Sequence, residues 1–240
     1  NMISISNLVF RMKKNAVGLA TIAILSSMVL VTLVGAASIY AGKKDYLASS
    51  APHDYSVTGT NVDLTSTRRA IDDFLVQTGN QVNRKVEASY LYFGIKAQEK
   101  NKLTIFSENE RKVLPKSIFL VFSQSTYKQL TGKDLNLTSN QVGLFTKNKT
   151  LKDQKSLSVN SQTYQIHDSL NDFLKGKIPN LFTIIVSDYS YLVVPDMDDF
   201  QESIKGTATT QATYVGVNVK DPSHDAKKNS DLLDKITDKE

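Results

Sequence analysis

The 240-residue sequence has no cysteine and no tryptophan. Disulfides, zinc–thiolate sites and cysteine nucleophiles are thereby excluded. Proline and glycine are sparse, at five and eleven residues, and the chain has no internal repeat and no long low-complexity linker. No acidic residue precedes Asp45, and residues 16–41 carry no charge of either sign. Of the net charge of +5, Arg11, Lys13 and Lys14 supply three, which leaves residues 42–240 at only +2. That near-neutral balance lacks the concentrated basic face that nucleic-acid binding requires.

Catalytic signatures are missing too. There is no Gly-x-Ser-x-Gly, no phosphate-binding loop and no glycine-rich strand-to-helix fingerprint. His53, His167 and His224 lie far apart without metal-ligand spacing and read as surface or turn residues. No enzyme activity, cofactor or metal is expected. Asp196, Asp198 and Asp199 are close enough to suit a hard cation. They sit at a predicted helix start, where acidic side chains complement the helix dipole, and that structural reading is preferred. Asn136-Leu-Thr138 and Asn148-Lys-Thr150 match the glycosylation acceptor pattern and are read as turns.

What is present is an uncharged run of 26 residues, 16–41. As a helix it would span roughly 39 Å, more than the ~30 Å hydrocarbon core of a bilayer. It is too long for an ordinary signal-peptide core of about 7–15 residues, although Val34-Gly35-Ala36 has cleavage-site character. It also lacks the polar stripe of a soluble core helix. Its small residues, Gly18, Ala20, Ala23, Ser26, Ser27, Gly35 and Ala36, would permit close helix–helix packing. Arg11, Lys13 and Lys14 directly before the run set its orientation, because Lys and Arg stay on the cytoplasmic side. The predicted organisation is a cytoplasmic, juxtamembrane basic segment over 1–15, a transmembrane helix over 16–41 and an extracellular domain over 42–240.

For that domain the pattern predicts a strand at 54–59, then a helix from about Thr65 to Thr78 capped by Asp63 or Thr65 and closed by Gly79. A long alternating strand over 84–98 should form a hairpin with 102–107. Residues 116–123 read as a central strand buried on both faces. A short helix ending at Gly132 should follow, then a strand around 142–145. Two short strands are expected within 157–173, turning at Asn160-Ser161. Residues 180–188 read as a second hydrophobic strand, 190–204 as a segment running on into a helix capped by Asp196, and 212–221 as the last strand before a polar helical tail. Hairpins mixed with strand–helix alternation predict an α+β fold with a mixed sheet, attached to one N-terminal transmembrane helix. Tyr90 and Tyr92, with Tyr189 and Tyr191, fall on aromatic strand segments. They read either as core and rim of a sheet or as a face that contacts an amphipathic peptide or lipid headgroup.

The junction Phe10-Arg11-Met12-Lys13-Lys14-Asn15-Ala16, preceded by Asn7-Leu8 and followed by Gly18-Leu19-Ala20, Ile24-Leu25-Ser26 and Met28-Val29-Leu30-Val31, carries a resemblance. It resembles the segment before the large extracellular domain in bacitracin-export (Bce-type) ABC-transporter permeases of the FtsX-like family. The match covers roughly forty residues. It implies the seventh helix of a ten-helix permease together with the extracellular domain, a piece of a longer polypeptide. The chain's start at Asn1 before Met2 and its end on a charged helix fit that expectation. The resemblance further implies a cytoplasmic ABC ATPase subunit, a membrane histidine kinase, and recognition of a peptide antibiotic or its complex with a lipid-linked cell-wall precursor. A short connection over Tyr40–Tyr46 would then couple domain and membrane helices. The alternative is the ligand-sensing outer domain of a single-pass or two-pass receptor of sensor-kinase type.

Overall fold

A computed structural model describes residues 16, 18, 20–40, 50–110, 115–179, 186, 188–221 and 226–237 of the protein. The chain divides into two units, Asn1–Leu47 and Ala48–Glu240. In the first, helix α1 (Ala20–Tyr40) runs for 21 residues with a mean hydropathy of 2.3, and none of it is buried against protein. Its length of about 30 Å and its composition are sufficient to cross a membrane. Ser27 and Thr32 return their hydroxyls to the carbonyls of Ala23 and Met28, so these polar groups are satisfied within the helix. Arg11, Lys13 and Lys14 lie outside the described residues, as does most of the 40–46 connection.

The second unit opens with strand β1 (Tyr55–Thr60) and helix α2 (Leu64–Thr78). Asp63 caps α2 by accepting from the Ser66 amide at 2.7 Å, and Gly79 closes it with φ 66°. Thr67, Ala70, Ile71 and Phe74 form the buried face at the spacing a helix requires. Strand β2 (Val82–Glu99) turns at Lys100-Asn101, with Lys100 in the left-handed region at φ 52°, into β3 (Lys102–Ile105). Then come β4 (Ser117–Ser123), α3 (Gln124–Thr131), β5 (Gln141–Thr146) and a one-turn helix α4 (Lys149–Lys152) that the pattern did not predict. Strands β6 (Ser156–Val159) and β7 (Gln162–Ser169) form the second hairpin. The unit ends with β8 (Asp188–Val194), α5 (Met197–Ser203), β9 (Thr209–Val219) and α6 (Ala226–Thr237).

Most expected elements are present, with one shift. The strand expected over 180–188 falls largely outside the described residues, and Ser190–Val194, read as the approach to a helix, belong to strand β8. Tyr, Leu and Val favour a strand there, and Pro195 holds Val194 extended, so α5 waits until Met197.

The nine strands of the described residues form one mixed sheet that closes on itself. Strand β2 is responsible. Its first two-thirds pair with β9, Leu91–Gly94 pair with β4, and Ile95–Glu99 pair with β3. Because β9 and β4 overlap at Leu91–Phe93, they occupy opposite edges of β2. The Ala208 amide donates to the Phe106 carbonyl, so β3 continues along the β9 edge. A bulge between Ile95 and Ala97 bends β2 at the crossover. A ring results in the order β2-β4-β8-β5-β7-β6-β3, back to β2, with β9 and β1 extending from its side.

Side chains alternate between the two faces of each strand. The inner set converges as Leu91, Phe93, Phe119, Val121, Leu144 and Leu192, closed at one end by Phe200 and Ile204 beside α5. The outer set, under α3 and the 173–178 segment, contains Tyr90, Leu120, Phe122, Tyr127, Phe173 and Tyr191. A third core seals α2 and α6 onto β1 and β9 through Tyr55, Ile71, Phe74, Val217 and Leu233. Arg68 of α2 grips Glu87 of β2 with both its Nε and its terminal nitrogen, and Lys85 bridges Glu87 and Asp72. The Arg68 hydrogen bond holds the Glu87 carboxyl below its usual range.

Candidate functional site

Tyr90 and Tyr92 are two apart on β2, and Tyr189 and Tyr191 are two apart on β8, so each pair projects to the same face. The structure brings all four together on the outer face of the ring. There they pack rather than present themselves. Tyr90, Tyr189 and Tyr191 are only 6%, 5% and 1% exposed, and Tyr92 is half-buried. Phe145 stacks on Tyr191 at 4.8 Å, Phe173 meets Tyr191 and Phe122 edge-on, and Tyr127 meets Phe173 at 4.9 Å. Burial pushes the Tyr90 phenol up to about 12. These three rings are covered and form part of an aromatic core. Tyr92 stays at its rim, and the Lys147 ammonium lies 4.5 Å from the Tyr189 ring centre.

His53 also departs from expectation. The sequence pattern reads it as a surface or turn residue, whereas in the fold it is buried. Its Nε2 donates to the Lys177 carbonyl at 2.9 Å, and its Nδ1 lies 2.7 Å from the Asn218 side-chain amide oxygen. The ring lies so close over β9 that a Cβ on Gly216 would come within 2.2 Å of it. His53 thus ties the segment leading into β1 to β9 and to the 173–178 loop. The Lys177 ammonium donates to the Leu130 carbonyl, and burial, with Arg84 nearby, lowers its pKa. His167 is exposed beside Asp168, and His224 lies outside the described residues.

The acidic knot behaves as the helix-start reading requires: Asp196 accepts from the amides of Asp198 and Asp199. No metal-binding group of His, Cys, Asp or Glu occurs among the described residues. Asn148 caps α4 by accepting from the Thr150 amide, and Asn136 takes a left-handed turn conformation, as the turn reading expects.

Sequence reasoning missed two cavities among the described residues, because their walls come from distant segments. One, of about 410 Å³, lies at the α5 end of the ring between Tyr164, Phe200, Asp196, Asp199 and Glu202. Its charged lining is wholly acidic. Tyr164 donates or accepts at 2.9 Å from Ser203, and burial raises its phenol pKa. The other, of about 350 Å³, lies between β1, the first turns of α2 and the end of α6. Its walls include Val57, Thr60, Thr67, Arg69 and Thr237. No protein-family model and no curated protein matches the chain.

Proposed function

We propose that this chain is the outer domain, with its adjoining membrane helix, of an ABC-transporter permease conferring resistance to antimicrobial peptides such as bacitracin and lantibiotics. The observation that carries the reading is the basic-to-apolar junction Phe10–Ala16, whose resemblance to such permeases continues into the apolar helix α1. In this reading residues 43–240 lie outside the cell and the basic flank lies inside, as the Lys/Arg asymmetry favours. The permease, multi-pass at full length, would work with a cytoplasmic ABC ATPase that hydrolyses the nucleotide and with a membrane histidine kinase. Its ligand is the peptide antibiotic, alone or with its lipid-linked precursor.

A ligand moves the membrane helices only if it favours one of two arrangements of the whole protein, and a closed, well-packed ring transmits such a bias without local deformation. The α5 cavity, with Tyr164 and Phe200 as its aromatic wall, offers the Asp199 carboxylate to a basic side chain of a bound peptide, Asp196 being the α5 cap and Glu202 the partner of Lys205. Deleting the encoding gene tests the reading. The minimum inhibitory concentration of bacitracin or of a lantibiotic is expected to fall and to recover with a plasmid copy. Unchanged susceptibility to both would overturn it.

A further inference from the structure

Among the described residues, strand β1 ends the sheet, with β9 as its single neighbour in the strand order. Its register shows which way its backbone points. Asn61 N–H donates to the Gln211 carbonyl, and β1 pairs with β9 in unbroken antiparallel steps from Thr60↔Ala212 to Tyr55↔Val217. Backbone groups alternate in direction along an antiparallel strand. Tyr55, Val57 and Gly59 therefore turn their N–H and C=O groups to β9, while Ser56, Thr58 and Thr60 turn theirs outward. The side chains of those three residues are exposed.

Natural edge strands are protected by lysine, proline, bulges or inward charges. The segment Tyr-Ser-Val-Thr-Gly-Thr has none of them. The 350 Å³ cavity opens beside this strand. It touches four consecutive residues, Val57 to Thr60, whose side chains alternate between faces, so it lies along the edge itself. Arg69 is its charged lining residue and enters no ion pair among the described residues. Of the acids near it in sequence, Asp72 pairs with Lys85, Asp63 is engaged in capping α2, and Asp73 is exposed one turn further along the helix.

We infer that the β1 edge and this cavity form a docking site for an extended peptide that adds as a tenth strand and sets an acidic side chain against Arg69. Main-chain bonds to Ser56, Thr58 and Thr60 supply affinity, and the cavity supplies selectivity, the division of labour that strand addition uses elsewhere. The inference is independent of the permease reading, because it rests on strand order, register and charge alone.

The test uses the full chain in lipid nanodiscs and a synthetic pentapeptide, acetyl-TVEVT-amide, carrying a fluorophore for anisotropy. Binding is expected, with slowed amide exchange at Ser56, Thr58 and Thr60. Thr58→Pro removes one outward N–H at an edge position where proline is tolerated, and should weaken binding by up to about tenfold, as the loss of one hydrogen bond requires. Thr58→Val keeps the N–H and should bind like the parent. Arg69→Glu should lose the glutamate peptide and gain its lysine counterpart, acetyl-TVKVT-amide. Absence of binding, unchanged binding by Thr58→Pro, or protection elsewhere than on β1 would overturn the inference. Near-UV circular dichroism of each variant separates lost binding from lost folding.

Discussion

Replacing Phe200 with alanine removes the ring with which α5 closes one end of the barrel-like sheet. Phe200 is 2% exposed, and its ring centre lies 6.2 Å from that of Phe93 inside the ring and 5.8 Å from that of Tyr164 at the mouth. The lost transfer free energy is about 2 kcal/mol, and the unfilled space adds about 1–3 kcal/mol because the sheet around it relaxes only partly. A total of about 4 kcal/mol corresponds, at roughly 2–4 °C per kcal/mol for a domain of this size, to a fall in Tm of about 8–16 °C. The assay is thermal and urea unfolding of the full chain followed by near-UV circular dichroism, since ten tyrosines and no tryptophan are present. Lys205→Ala, at an exposed ion pair with Glu202, is the control and should change stability by less than about 0.5 kcal/mol. A Phe200→Ala loss below about 1 kcal/mol would refute the view that α5 is an integral plug of the sheet.

Glu110 is held down to about 2, chiefly by its hydrogen bond from Lys96 and then by the Ser107 amide. A carboxyl depressed from its ordinary 4.5 stabilises the fold above that value, and the contribution disappears as the pH falls toward 2. Parent and Glu110→Gln should therefore differ in Tm at pH 6 and converge near pH 2; a constant difference would contradict the pairing. Gly59→Val would place a Cβ within 2.6 Å of Val62, Thr67 and Thr213, and overpacking of that kind should cost about 1–3 kcal/mol in urea unfolding. In a double-mutant cycle, Arg68→Ala and Glu87→Ala should couple by about 1 kcal/mol, weakening with salt, because the Arg68 side chain is 43% exposed while Glu87 is 15% exposed. Because the chain lacks cysteine, Ser139→Cys gives one thiol, which a membrane-impermeant maleimide should label on intact cells if the proposed orientation holds.

Local features were legible in the sequence. Helix α2 was readable because Asp63, Gly79 and the Ala70–Phe74 face all lie within a few residues of it. The β2–β3 hairpin was readable from its two-residue turn. What the chain's own pattern left open depends on distant partners. Ring closure is decided where Leu91–Gly94 meet β4 and where β3 meets β6 in parallel, and no local periodicity encodes that pairing. His53 looks like an ordinary turn residue until Asn218 and the Lys177 carbonyl close over it. The alternation of tyrosines along β2 and β8 correctly put each pair on one face. Whether that face was open or covered was settled by α3 and Phe173, which lie outside those strands.

The central claim, that the outer domain recognises a peptide antibiotic, is tested most directly by calorimetry. The full chain in nanodiscs is titrated with bacitracin and with a lantibiotic, each with and without lipid-linked precursor. The account predicts saturable heat with at least one of these, diminished when Asp196, Asp199 and Glu202 are replaced by their amides. No heat with any of them would contradict it.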